Sequence, residues 1–234
     1  MPPDTAAPAT YARQLKRFAS AEEALRRQDG FDTSPFAPDQ PSLLVWQSPR
    51  GLLAAPSDSR LAGFGDAARA CAAAGWPVAV RRAGGGLCPV SPGTLQLAIS
   101  RPVAGGLTIE AAYAEMVALI ERLLGRFGLP AQVGTCEAAF CPGRYDIAIA
   151  GRKIAGMAQT WRSRAGVRTA TTGASLILDE DPEVLADAVN LFYSTAQSPL
   201  RCDAGAIGSL SGALARDVPV AEVLAALEPG AAPR

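Results

Sequence analysis

Cys141 and Lys153 share the segment FCPGRYDIAIAGRKIAG. A thiol with an amine in reach is the pairing that activates a cysteine nucleophile, because a nearby ammonium favours the thiolate. Of the 22 Lys and Arg residues, only Lys16 and Lys153 are lysine. A chain that uses arginine wherever positive charge is enough has kept lysine here for what a guanidinium does not do: titrate, or aim one compact ammonium at a single oxygen. The plain alternative for Lys153 is a solvated charge just after a hairpin turn. Cys141 precedes Pro142-Gly143, which sets it in a turn and outside any apolar periodic segment. Its plain alternative is an inert, buried small hydrophobe. Cys136, Cys88 and Thr171-Thr172-Gly173, read as a turn, are weaker candidates.

The chain has no histidine, which excludes Ser-His-Asp and Cys-His triads and His-based metal sites. An acid or base must be Lys, Tyr, Cys or a carboxylate. The cysteines at 71, 88, 136, 141 and 202 lack the CxxC pairs that announce zinc or a redox dithiol, so reduced thiols and no metal site are expected. A third feature is RRAGGG at 81–86, following a predicted strand. Consecutive Gly84, Gly85 and Gly86 let backbone approach a ligand and turn N–H groups into an anion nest, beside Arg81 and Arg82. A tight turn with two solvated arginines fits equally well. It is neither a Walker motif nor a GxGxxG fingerprint.

The elements that must position these groups are readable in outline. Residues 1–40 are rich in Pro and Ala apart from a short helical candidate near Ala21 to Arg27, and read as an arm or irregular lead-in to a domain over 41–234. SLLVWQ and GLLAA read as a strand pair across a Pro-Arg turn. A small Ala-rich helix spans about Gly63 to Ala74, and PVAVRR is a strand. TLQLAIS alternates Leu95, Leu97 and Ile99, the period of a half-buried strand. The clearest helix starts at the N-cap Thr108 and carries Ile109, Ala112, Tyr113, Met116, Val117, Ile120, Leu123, Leu124 and Phe127 on one stripe to Gly128, so it should lie on a sheet. Tyr145 to Ala150 and Lys153 to Thr160 form a hairpin about Gly151-Arg152, and Val167 to Leu178 is a third strand ending before an Asp181-Pro182-Glu183 helix start. Locally paired strands with helices between them indicate a single α+β (mixed α/β) domain.

The 22 basic and 22 acidic residues cancel, which removes the electrostatic reason to expect nucleic acid or a membrane surface as partner. The N-terminal twenty residues have no apolar h-region and no window approaches a spanning run, so a soluble, cytoplasmic protein acting on a protein or small molecule is expected.

Taken in order, these pieces resemble a known family. RRAGGGLCPVSPGTLQLAIS resembles the Arg-Arg-x-x-Gly-Gly-Gly segment and following strand of the lipoate-protein ligase A and octanoyltransferase superfamily. GRYDIAIAGRKIAGMAQ is similar to its Gly-Arg-Lys-x-x-Gly-x-Ala-Gln hairpin, and TTGASLILD to the strand that follows. The resemblance covers about residues 40–195. It implies a mixed sheet flanked by helices, shared with biotin protein ligases. It places on Lys153 the contact with an acyl carbonyl, and on Arg81, Arg82, Gly84, Gly85 and Gly86 the lining of the acyl or acyl-adenylate site. Gly156 belongs to the same hairpin motif, and Leu87, Ile154 and Met157 are expected along the acyl slot.

Three departures weaken an ATP and magnesium reading. Ser91-Pro92-Gly93-Thr94-Leu95-Gln96 stands where ligases carry His-x-x-Gly-Asn, Thr172 stands where His-Gly is common, and the chain ends without the accessory domain of the long ligases. Phe140-Cys141-Pro142-Gly143 is instead similar to the Cys-Pro-Gly of the amidotransferase branch. The resemblance then implies transfer of octanoyl or lipoyl groups between lipoyl carrier domains (glycine cleavage H protein or the E2 lipoyl domain of 2-oxoacid dehydrogenases) through a Cys141 thioester, with Lys153 stabilising thiolate and oxyanion and no cofactor required. Cys136 remains a rival nucleophile. The alternatives are an ATP- and Mg-dependent lipoate-protein ligase acting through lipoyl-adenylate, and a catalytically silent carrier-binding homologue.

Overall fold

Thr94 to Ser100 is buried along its whole length. The alternation of Leu95, Leu97 and Ile99 therefore marks one of two covered faces, where a half-solvated strand was expected. The computed structural model describes residues 11–31, 41–103, 106–164 and 166–228. Its strands are β1 (Ala12–Arg17), β2 (Ser42–Gln47), β3 (Gly51–Ala54), β4 (Val78–Val80), β5 (Cys88–Val90), β6 (Thr94–Pro102), β7 (Gln132–Val133), β8 (Ile147–Ile149), β9 (Arg152–Arg164) and β10 (Val167–Ile177). The α-helices are α1 (Ala21–Phe31), α2 (Phe64–Ala73), α3 (Ile109–Arg126), α4 (Pro182–Thr195), α5 (Leu210–Leu214) and α6 (Val220–Ala226).

Seven strands form one sheet in the order β1-β2-β6-β10-β9-β8-β7, and β4-β3-β5 form a smaller one. Both are mixed: β1 runs parallel to β2 and β3 to β4, while β6, β8, β9 and β10 pair antiparallel with their neighbours. Leu43, Val45, Leu95, Leu97 and Ile99 face α3 and the C-terminal helices, with Met116, Ile120, Leu123 and Leu124 packed on them. Leu44, Trp46 and Ala98 face the other way, toward the small sheet and α2 and α4. The domain is thus a mixed α/β fold with its sheets flanked by helices, as the resemblance implies.

Local chemistry accounts for the clear elements. The Thr108 hydroxyl accepts the Ala111 N–H at 3.1 Å and caps α3. Asp181 does the same for Glu183 at 3.0 Å, with Pro182 in the first turn of α4. The hairpin between β8 and β9 turns on Ala150 and Gly151 at φ 50° and 75°, two left-handed residues that match the twist of the flanking strands.

Two expectations are corrected. SLLVWQ and GLLAA do not pair: β2 lies between β1 and β6, whereas β3 lies in the small sheet between β4 and β5. Nor are residues 12–17 irregular, since β1 hydrogen-bonds along β2 from Ala12 to Arg17, whereas the helical candidate near Ala21 to Arg27 is present as α1, which buries Ala21 and Ala24. Residues 1–10 and 32–40 of the expected arm lie outside the described residues. Among the described residues, no helix is long and apolar enough to cross a membrane.

Candidate active site

The cleft that gathers the chemistry lies between the large sheet, the small sheet and α1. It is bordered by Arg81, Arg82, Cys141, Lys153, Gly156 and Met157 among the residues expected from sequence. Its floor is set by register. On β9 and β10 the pairs Gly156–Ser175, Ala158–Gly173 and Thr160–Thr171 stand side by side and all border the cleft. Small side chains at alternate positions leave a trough, and four residues of strand at about 3.4 Å each give it a length of roughly 13 Å. Trp46 and Gln28 also border it, joined by an indole N–H donated to Gln28 Oε1 at 2.9 Å.

Cys141 stands at one end of this trough. Its backbone sits at φ 45°, in the left-handed region that non-glycine residues enter at a cost of about 1–3 kcal/mol. The Gly86 N–H donates to its sulfur at 3.1 Å, and Arg81 Nη2 lies 3.5 Å away. Arg81 also folds the glycine loop around itself, donating to the carbonyls of Gly84 at 3.0 Å and Gly86 at 2.9 Å. Its Nε is buried without a hydrogen-bond partner among the described residues. Gly85 must be glycine on two counts: φ is 98°, and a Cβ there would lie 2.8 Å from Cys141 Sγ.

Lys153 is wholly buried, which removes the solvated-charge reading. Its ammonium donates to the carbonyls of Phe140 and Cys141, each at 2.8 Å, and pairs with Asp146 Oδ1 at 2.9 Å. A Cβ on Gly156 would lie 2.9 Å from that nitrogen, so the hairpin glycine is the space the lysine occupies. Asp146 also accepts N–H groups from Gly143 at 3.0 Å and Cys136 at 3.3 Å, gathering the whole 136–146 loop. Burial pushes its carboxyl up from the ordinary value, against the opposing pull of Lys153 and those N–H donors. The expected lysine–thiolate contact is therefore replaced by a division of labour: Lys153 holds the backbone of the Cys141 loop, and Arg81 with the Gly86 N–H meets the sulfur.

The lipoyl protein ligase A/B catalytic-domain model matches residues 20–231. This chain belongs to that family. It is 31% identical over 138 residues to an octanoyl-GcvH:protein N-octanoyltransferase of Kyrpidia tusciae, an alignment covering 56% of this chain and 48% of the relative. With a lipoyl-GcvH:protein N-lipoyltransferase of Listeria monocytogenes it shares 31% identity over 121 residues, 51% of this chain and 42% of that one. The chain thus spans roughly half the length of these curated relatives. A lipoate-protein ligase A bound with ATP superposes with TM-score 0.72 at 20% identity, over 93% of this chain and 82% of that one. The bi-partite lipoate protein ligase of Thermoplasma acidophilum gives 0.68 at 19%, over 94% and 81%. At such identities the likeness shows the fold alone.

Within this lipoyl ligase A/B domain the other expected residues divide. Arg82 borders the cleft, and its Nε donates to Asp29 of α1 at 2.7 Å. Leu87 and Ile154 do not line the cleft: both are buried in the hydrophobic clusters, Ile154 on the α3 side of the sheet. Met157 borders the cleft while packing against that same α3 cluster. Thr171 to Gly173 lies within β10 and is no turn. Cys136 binds Asp146 through its N–H, and burial pushes its thiol up. Sequence reasoning missed Asp146, Trp46 and Gln28. A lone carboxylate opening an otherwise apolar strand, DIAIA, was the available signal for the first.

The five thiols differ enough to be told apart in solution. Burial pushes Cys71 and Cys202 up to about 11 and raises Cys88, so at pH 8 these thiols stay protonated and covered. Iodoacetamide at pH 8 is expected to label Cys141 first, read by peptide mass. Equal labelling of all five cysteines would contradict the site as described.

Proposed function

We propose that this domain transfers octanoyl or lipoyl groups between lipoyl carrier domains in the cytoplasm, through a thioester on Cys141. The observation that carries the reading is the convergence of the Gly86 N–H and Arg81 on the Cys141 sulfur at the end of a small-residue trough. In the first half-reaction the sulfur attacks the acyl carbonyl of the donor's lysine amide. A C–S bond forms, the C–N bond breaks, and the thiol's proton leaves with the lysine nitrogen. In the second, an acceptor lysine amine attacks the thioester, the C–S bond breaks, and one amine proton returns to sulfur. The step needs neither a histidine nor a cofactor. Arg81, whose Nη2 lies 3.5 Å from the sulfur, supplies a fixed positive charge suited to the oxyanion of the tetrahedral intermediate. The transferases named for GcvH among the relatives support the carrier as partner.

The test is intact-protein mass spectrometry after incubation with an octanoylated carrier domain, in parallel with octanoate, ATP and magnesium, followed by peptide mapping. An octanoyl mass on the Cys141 peptide from the carrier alone is the expected result. Acceptor acylation that appears only with ATP would replace this reading by an adenylate-forming ligase.

The trough also predicts chain-length selection. A Cβ at Gly173 would meet only ordinary van der Waals contacts, the nearest at 3.8 Å, so a side chain can be started there beside the trough. Gly173→Leu is expected to cut octanoyl capture relative to butyryl capture by at least about 10–200-fold, the range that one methylene commands in an apolar pocket. Competition between the two acyl carriers, read by adduct mass, checks it.

A further inference from the structure

Next to the N–H that meets sulfur is a second N–H that does not. The Leu87 N–H donates to the hydroxyl of Tyr193 on α4 at 2.9 Å. That hydroxyl in turn donates to Asp58 Oδ1 at 3.1 Å, and Asp58 Oδ2 accepts the Ala55 N–H at 2.8 Å. Tyr193 and Asp58 are each only 4% exposed. A buried phenol and carboxylate are expensive unless satisfied, and here each is fully engaged in one direction. Burial raises the phenol far above its ordinary value, so it stays a donor to Asp58 and an acceptor for Leu87.

This chain of bonds ends on Leu87, the residue after the Gly86 whose N–H meets the Cys141 sulfur. Gly86 packs so closely on the phenol that a Cβ there would lie 3.0 Å from the Tyr193 hydroxyl. Ser57, next to Asp58, donates its hydroxyl to the Gly85 carbonyl at 3.0 Å. The same short turn therefore grips the glycine loop from both sides of Gly86. Neither Tyr193 nor Asp58 is among the residues that border the cleft.

We propose that Tyr193 and Asp58 are positioning residues: their hydrogen-bond relay fixes the Gly86–Leu87 backbone so that the Gly86 N–H points at Cys141 Sγ. The role rests on the acyl-transfer reading for its purpose, though not for its geometry. Tyr193→Phe keeps the ring, which meets Phe192 edge-on at a centroid distance of 5.4 Å, and removes the one atom that holds Leu87.

The test is the iodoacetamide rate at Cys141 in the full chain at pH 8, with Cys71, Cys88 and Cys202 as internal reporters of the fold, alongside kcat and KM for octanoyl transfer. Tyr193→Phe is expected to slow both Cys141 alkylation and kcat by about 10–100-fold, the usual effect of removing an outer support. KM should hold and the three buried thiols should stay protected. Wild-type alkylation and kcat with those thiols still protected would overturn the inference. If the thiols open in Tyr193→Phe, Asp58→Asn, which preserves volume, carries the comparison with the same expected and contrary results. If wild-type Cys141 takes no acyl group from the carrier, the transfer reading falls, and the alkylation rates still decide the relay.

Discussion

Cys141→Ala is expected to abolish carrier-driven acyl transfer, by about 10⁴-fold or more, as removal of a covalent nucleophile does. The variant keeps Cβ and therefore the left-handed backbone at φ 45°, so the cost of that conformation is unchanged. With only a sulfur lost from a half-buried position, stability should move by no more than about 1 kcal/mol. A thermal melt near wild type, beside a transfer rate at background, is the paired result. Retained acylation in Cys141→Ala would separate the reaction from the thiol and return Lys153 and the arginines to an adenylate mechanism.

The second large effect belongs to stability. Lys153→Met is expected to cost about 3–5 kcal/mol, because it leaves the 1% exposed Asp146 carboxyl without its counter-charge. The Phe140 and Cys141 carbonyls lose a donor at the same time. That is a large fraction of the roughly 5–15 kcal/mol by which a domain is stable. The double variant Lys153→Met/Asp146→Leu should recover much of the loss, since an apolar pair avoids the uncompensated charge. Urea unfolding of the wild type, the single and the double variant checks this. A single variant within 1 kcal/mol of wild type would show that Asp146 is not held as the structure places it.

How much of this was legible depends on how local each signal is. The α3 helix and the start of α4 are set by caps a few positions away and formed where the sequence placed them, and the hairpin formed with its turn one residue earlier than expected, on Ala150-Gly151 with Arg152 opening β9. The β2–β3 pairing failed because two short, fully buried apolar runs carry no alternation to say which sheet they join. Its partners β4 and β5, both arriving after α2, assign β3 to the small sheet. The same limit applied at the site. Cys141 and Lys153 were conspicuous within one segment, but the sulfur's partners come from 55 and 60 residues away, and Tyr193 lies 106 residues from the Leu87 N–H it holds. The resemblance supplied Arg81 and the glycines by order of motifs; nothing in spacing said that Lys153 would anchor backbone carbonyls and leave the thiol to an arginine.

The engagement of Lys153 bears on a hazard specific to this chemistry. Under the proposed transfer, a protein that carries an acyl thioester and delivers it to lysine amines is surrounded by one wrong acceptor: itself. A free amine twelve residues from Cys141 could take the acyl group by sulfur-to-nitrogen migration, leaving a stable amide and a dead catalyst. With its three donors committed to Phe140, Cys141 and Asp146, Lys153 presents no lone pair to the thioester. Lys16, the other lysine, lies on the edge strand β1. With arginine supplying all but two of its basic residues, and a guanidinium being a poor acyl acceptor, the protein would be a poor substrate for the proposed reaction.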